Sequence, residues 1–384
     1  AFGDVDDYTT TTTTATATGV LGRYGFGNLG TGNYRVAVGT GTLPNDLTTA
    51  TFDADGTADS IANLIGFSAS RTDVDFGYRG AGSLGDLVWY NPNGNSTLDA
   101  GEAGFDGVQV QLVWAGQDDT FGTADDLTGV TATTAGGGLY GFANLGTGSY
   151  RVAVNTATLP AGISPNFDLD GTGTAHTADA ALSTGQPSRI DVDFGYTGNS
   201  SLSGNVYLDI DDDGSFEPPT ETGIGGVTVT LTGSNVLGAI SPQTVVTAAD
   251  GSYSFTNLLP GTYTVTEQAQ ALPPLDGFLD GKDTRGTVNG GAVGDDSVDN
   301  VISGIVIPAD LTGIDYNFGE RSSSSIAGRV YLDLDKDGVL DSGENGLSGV
   351  ALGLLDSSGN VFDTTTTGPD GTYLSDVLPA GSYT

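Results

Sequence analysis

The sequence predicts an all-β protein built as tandem antiparallel β-sandwich domains in an elongated array. Three observations carry that expectation. Apolar residues alternate with polar ones at period two, and short motifs return at intervals of roughly 120 residues. Turn-formers are abundant, with 62 Gly and 14 Pro in 384 residues and no G-X-Y period.

The strands show first. Val108, Val110, Leu112 and Trp114 alternate with Gln109, Gln111 and Val113. Val227, Val229 and Leu231 alternate with threonines, and Ile190, Val192, Phe194 and Tyr196 with Asp191, Asp193 and Gly195. Such β-branched and aromatic alternation marks half-buried strands. Asp250-Gly251 and Asp370-Gly371 stand just before Tyr-led strands and read as hairpin turns. No stretch supports a helix longer than two turns.

Three motifs define the repeats. Ser83-Leu84-Gly85-Asp86-Leu87-Val88-Trp89 returns as Ser201–Tyr207 and as Ser325–Tyr331. Tyr24-x-Phe26-x-Asn28-Leu29, followed by Gly32-x-Tyr34, returns from Tyr140 to Tyr150 and from Tyr253 to Tyr263. A weaker copy runs from Tyr373 to Tyr383, with Ser375 in place of Phe. Asp73-Val74-Asp75-Phe76-Gly77-Tyr78 closes a unit, as do Asp191–Tyr196 and Asp315–Gly319. The resulting division is a partial sandwich over 1–79 lacking its opening strands, complete sandwiches over 80–198 and 199–320, and a partial one over 321–384 lacking its closing strands. Complete units of this size hold a core of their own. The short polar linkers at 79–83, 197–201 and 321–325 restrict motion between neighbours.

Composition excludes several functions. There is no Cys, hence no disulfide, zinc–thiolate site or cysteine nucleophile. The absence of Met implies a fragment or processed chain. With 48 acidic against 11 basic residues, net −37, the surface repels nucleic acid and anionic membranes and attracts cations. No apolar run is long enough to insert in a membrane. The single His176 reads as a surface loop residue, and the many acids sit in repeated loops rather than one distinct site, so catalysis is not expected.

The acidic loops carry the chemistry. Asp333, Asp335, Asp337, Asp341 and Glu344 occupy positions 1, 3, 5, 9 and 12 of a loop with Gly338 at position 6. That is the spacing of an EF-hand calcium loop, in which position 7, here Val339, offers its backbone carbonyl. Alternate residues of a tight turn point inward, and oxygen-only ligands select a hard cation. Asn91, Asn93, Asn95, Thr97, Asp99 and Glu102 repeat the pattern with carboxamides at three positions and Ser96 for Gly, predicting weaker binding. Asp209, Asp211, Asp213, Ser215 and Glu217 repeat it again, but the distal Glu221 comes one residue late, after Pro218-Pro219. The flanking segments are β in pattern, not helical. Further clusters are Asp118, Asp119, Asp125 and Asp126; the corresponding Asp4, Asp6 and Asp7; and Asp168 and Asp170, matched by Asp53 and Asp55. Calcium ligation and a solvated acidic turn are equal readings there. The unit at 199–320 has instead Asp280, Asp283, Asp295, Asp296 and Asp299.

Taken together, the loops, the Tyr-x-Phe-x-Asn-Leu motif and the Asp-Val-Asp-Phe-Gly-Tyr closure resemble the B-repeat domains of serine-aspartate-repeat surface proteins, the Sdr branch of the Cna B-type fold. The resemblance covers essentially the whole chain. It implies a prealbumin-like, Ig-like sandwich holding several calcium ions and used in tandem as a rigid extracellular stalk. It supports the 91–102, 209–221 and 333–344 loops as calcium sites, and the 117–126 cluster less firmly. Many Cna B-type relatives also carry an isopeptide bond from a Lys on the first strand to an Asn or Asp on the last, assisted by an acid. Glu267 and Asn317 match the acid and acceptor, but Lys282 and Lys336, the two lysines, lie off the opening strands. No isopeptide bond is expected.

The function expected is therefore a non-enzymatic, extracellular structural protein: a calcium-stabilised stalk or fibre subunit of a bacterial cell surface. Its partners would be calcium and, in a filament, copies of itself; the partial units 1–79 and 321–384 overlap in content, which favours a truncated window over completion of 321–384 by strands of a neighbouring chain. The alternative is an adhesin region that binds a host or environmental ligand, for which the divergent 280–299 segment would be the candidate.

Overall fold

A computed structural model describes residues 8–17, 20–378 and 383–384. Strands take 48% of the residues and helix 3%, which settles the class as all-β. The helical pieces among the described residues are single 3-10 turns such as Thr156–Thr158, and no helix is long and apolar enough to cross a membrane. The chain falls into two compact units, 1–198 and 199–384.

In the first unit, residues 82–198 make two sheets. One orders Leu139–Leu145, Gly82–Tyr90, Phe194–Gly198 and Ile163–Asp168, and Ser188–Arg189 also pairs with Gly82–Tyr90. The other orders Thr177–Leu182, Gly148–Val154, Gln109–Trp114 and Leu127–Thr133. Val110, Leu112, Val152 and Val154 from the second sheet are buried, as are Leu84, Val88, Phe142 and Phe194 from the first. The period-two alternation thus becomes an inner and an outer face. Residues before this sandwich form three pairs among the described residues, Ala15–Ala17 with Val20–Arg23, Gly32–Ala37 with Ile61–Phe67 and Thr49–Asp53 with Phe76–Arg79.

In the second unit, Ser200–Leu208 pairs with Ser252–Leu258, Thr312–Ile314 and Phe318–Ser322, while Thr228–Asn235, Gly261–Glu267 and Val301–Ile307 lie side by side in another sheet. Leu202, Val206, Phe255 and Phe318 from one sheet share a core with Val229, Leu231, Val265 and Ile302 from the other. Two sheets with one common apolar interior are a sandwich. Residues after it form two pairs, Ser324–Arg329 with Thr372–Leu378 and Ala351–Leu355 with Val361–Thr366.

Two local expectations change. The pairing is antiparallel except along the opening strand of each sandwich, which the last strand meets in parallel, as do Ser188–Arg189 in the first sandwich and Thr312–Ile314 in the second. Phe194–Gly198 runs parallel to Gly82–Tyr90, and Phe318–Ser322 parallel to Ser200–Leu208. Side-chain alternation carries no strand direction, so this was invisible in the pattern. The Asp-Gly turns are corners rather than hairpins. The strand before Asp250-Gly251, Gln243–Val246, pairs with Thr228–Asn235, whereas the strand after it pairs with Ser200–Leu208 in the opposite sheet. The glycine is required by contact as well as by its φ of 79°: a Cβ on Gly251 would sit 2.2 Å from the Val206 carbonyl oxygen. Gly138 and Gly371 meet the carbonyls of Val88 and Val330 at 2.3 Å in the same way.

The repeated tyrosine motif has a structural origin. Its first Tyr reaches the residue two before the closing strand: Tyr253 donates to the Tyr316 carbonyl at 2.6 Å, and Tyr140 and Tyr24 donate to the carbonyls of Val192 and Val74. Its Asn adopts a left-handed backbone, with φ of 59° at Asn28, 62° at Asn144 and 58° at Asn257. Its second Tyr closes the following turn, Tyr150 to Gly146 O at 2.8 Å and Tyr263 to Leu259 O at 2.6 Å.

Candidate metal centres

Each acidic loop follows an opening strand and returns to bridge with the segment it left, Trp89 with Gly104, Tyr207 with Gly223 and Tyr331 with Gly346. At 333–344, the Asp333 carboxylate accepts from the backbone N–H of Lys336 (2.6 Å) and Gly338 (3.1 Å). Glu344 comes back to accept from Leu334 N at 2.6 Å and Asp341 N at 3.1 Å. Positions 4 and 6, Lys336 and Gly338, have φ of 66° and 77°, which coils the loop round its own carboxylates. Asp333, Asp335 and Glu344 each bring an oxygen within 4.8 Å of the others, and so do Asp335, Asp337 and Asp341. Asp335 is common to both sets and links the two triads. Val339 donates its N–H to Asp337 at 2.7 Å.

The 209–221 loop has the same construction. Asp209 accepts from Asp212 N (2.6 Å) and Gly214 N (2.9 Å), and Asp213 accepts from Ser215 N (2.6 Å). The displaced Glu221 still arrives: it accepts from Ile210 N at 2.8 Å and Glu217 N at 3.1 Å, matching the partners of Glu344. The extra residue is absorbed by a wider turn, in which Glu221 N reaches back four residues to Glu217 O, whereas Glu344 N reaches three to Asp341 O. Asp209, Asp211 and Glu221 converge within 4.8 Å, as do Asp211, Asp213 and Glu217. Asp213, then burial and Asp211, push the Glu217 carboxyl up, the mark of like charges gathered without compensation. Lys282 Nζ lies 3.4 Å from Asp213 O, and Arg321 lies 3.5 Å from Asp212.

The 91–102 loop shares the backbone path, with φ of 68° at Gly94 and 59° at Ser96, but its interior differs. The Nδ2 groups of Asn93 and Asn95 both donate to Asp99 Oδ2 at 2.7 Å, and Trp89 Nε1 donates to Glu102 at 3.1 Å. Thr97 N is bound to Asn95 Oδ1 at 2.8 Å, and Asn91 is buried. Two amide donors share one oxygen of Asp99.

The remaining clusters are arranged otherwise. Asp118, Asp125 and Asp126 are engaged with nearby N–H groups of Thr120, Gln117 and Gly122, and Asp119 turns out to Ser149 N at 2.9 Å. Asp53 is saturated by the N–H groups of Gly56, Thr57 and Asp59, and Asp55 by Thr57 and Asn63. Among the described residues, neither group gathers three acidic oxygens as the two loops do. Asp168 is buried, with no hydrogen-bond partner at either oxygen; burial and then Asp170 raise its carboxyl. Asp170 accepts from Asp179 N at 3.1 Å. Asp4, Asp6 and Asp7 lie outside the described residues. His176, read as a surface residue, is half-buried and stacks on Tyr196 with its Nδ1 3.0 Å from the phenol oxygen.

Comparison with known proteins agrees with this architecture. A family described as the SdrD B-like domain matches residues 82–204, 200–275 and 324–384. The serine-aspartate repeat-containing protein D of Staphylococcus aureus (strain Newman) is 31% identical over 98% of this chain, which spans 28% of that relative. Protein F of the same description from Staphylococcus epidermidis is 31% identical over 94% of the chain, which spans 20% of it. Among solved structures, a streptococcal ancillary pilin (12% identity, TM-score 0.34, 79% of this chain and 88% of that one) and the Bacillus anthracis TIE protein (14%, 0.31, 92% and 62%) are similar too weakly to add to the strand pairing above. The match is to a structural domain and not to an enzyme, and the chain belongs to the SdrD B-like domain family.

Proposed function

We propose that this chain is part of a bacterial cell-surface protein of structural or adhesin type, in which tandem β-sandwiches are braced by calcium and serve as a stalk or fibre segment. The observation that carries the reading is the paired construction of the 209–221 and 333–344 loops, in which acidic oxygens from five positions converge although the two sequences differ by an inserted residue. Calcium takes six to eight oxygens, and a single bidentate glutamate with alternate aspartates is the donor set it fits. Each bound ion adds to folding stability by mass action, about 2.7 kcal/mol at a concentration a hundredfold above its Kd. In a chain of net charge −37 it also relieves local repulsion.

Calorimetric calcium titration tests the reading. The double variants D209N/E221Q and D333N/E344Q should each bind one ion fewer than the parent. Unchanged stoichiometry in both would reduce the loops to solvated turns.

A further inference from the structure

The residues before the 82–198 sandwich are bound to it at two places. The turn after Pro44 meets the turn between Leu139–Leu145 and Gly148–Val154. Thr147 N donates to Asn45 O at 2.7 Å, and Asn45 Nδ2 donates back to Thr147 O at 2.8 Å. Asn45 thus satisfies both main-chain groups of a residue 102 positions away. The linker is fastened to the strand that leads into the same turn. Arg79 Nη1 donates to Asn144 Oδ1 at 2.9 Å, and Gly80 N donates to Asn144 O at 3.2 Å. Gly80 is buried, and a Cβ on it would lie 1.9 Å from the Leu145 carbonyl oxygen, so the linker lies flush against that strand end.

Both sides are shaped for the contact. Asn45 and Asp46 are consecutive left-handed residues, with φ of 57° and 55°, a conformation that costs energy for residues bearing a side chain. Gly146 is buried, and a Cβ there would lie 2.7 Å from Asn45 O and 3.1 Å from Leu47 Cδ2. The following repeats differ at all three positions. Thr-Leu-Pro at 42–44 recurs at 158–160, where Ala161 stands in place of Asn45. Tyr150 and Tyr263 cap corresponding turns, which aligns Gly146 with Leu259 and Thr147 with Pro260. Alanine has no amide, proline has no N–H, and Leu259 is itself buried. A sandwich closes with either set, so Asn45, Gly146 and Thr147 serve the contact between repeats and are not needed to build one.

We infer that Asn45, Gly146 and Thr147 form a joint that holds residues 20–79 and 82–198 as one body, with Arg79 and Gly80 as its second fastening. Two attachment points remove the rotation that a linker alone would leave. None of the hydrogen bonds of the joint uses a carboxylate. The joint therefore holds without calcium, unlike the bracing proposed for the acidic loops.

The test is a distance measurement across the joint in the whole chain. There is no Cys, so I65C/V130C places one spin label on an exposed strand position on either side. Pulsed electron–electron resonance should give a narrow distance distribution that keeps its width in EGTA. N45G/R79A keeps the left-handed turn and removes both side-chain donors. It should broaden the distribution about twofold, as a short flexible linker permits, with calcium present or absent. A parent distribution that broadens in EGTA would overturn the inference and assign the joint to calcium. A width unchanged in N45G/R79A would overturn it as well. Should that variant fail to fold, G146L decides, since Leu259 shows that such a turn accepts leucine. Broadened distances in G146L support the joint, and the parent's width contradicts it.

Discussion

Tyr253 donates its hydroxyl to the carbonyl of Tyr316 at 2.6 Å, tying the strand after the Asp-Gly corner to the segment that closes the same sandwich. The two motifs that recur together in the sequence are therefore the two ends of one buried hydrogen bond. Substituting Y253F should cost about 1–3 kcal/mol, because it strands a buried carbonyl. Urea unfolding of the variant measures it; a loss within error would show that the carbonyl finds another donor.

Gly251 is fixed by its left-handed φ and by the Val206 carbonyl 2.2 Å from any Cβ. G251A should destabilise by about 2 kcal/mol or more, since the corner must shift as well as strain. Substituting Gly359, equally left-handed but open to space, should cost only about 1 kcal/mol. Equal losses at the two sites would refute the contact argument.

Asp193 accepts from Leu87 N at 2.9 Å, and Asn317 does the same for Asn205 N in the next repeat. Burial, and then Asp86 and Asp191 against the relief of that hydrogen bond, raise the Asp193 carboxyl to about 6. A raised carboxyl binds its proton more tightly folded than unfolded, so stability falls as pH rises from about 4 to about 6. The carboxyl is partly solvated, so the loss is about 1–2 kcal/mol. D193N keeps the acceptor and removes the titration. Its stability relative to the parent, measured in EGTA, should grow over that pH range; a pH-independent difference would contradict the assignment.

The 91–102 loop should bind calcium more weakly than 209–221 or 333–344, because Asn93 and Asn95 already donate to Asp99. Replacing both by Asp should tighten calcium binding at least tenfold and lower the Tm in EGTA through added repulsion. Calorimetry with the double variant checks both signs.

Much of this was legible in residue order. Val108 to Trp114 and Val227 to Leu231 announced their strands because one face of each is buried. The clustering of acids in the 209–221 and 333–344 loops was legible because it depends on local spacing. What escaped depends on distance or direction. Asp250-Gly251 looks the same whether the chain reverses within a sheet or crosses to the other. The arrival of Glu221 depends on a turn that lengthens by one residue. Asn45 and Thr147 are separated by 102 residues, and only the docking of one repeat on the next brings them together. Asp118 and Asp125 read equally as ligands or as turn residues, because turn-forming and metal-binding aspartates share a composition.

Thermal unfolding with and without EGTA, with excess calcium as the return, tests the central claim most directly. The account predicts a large drop in Tm on chelation that calcium restores. An unchanged Tm would contradict calcium bracing and leave the acidic loops as solvated turns of an otherwise self-sufficient β-sandwich.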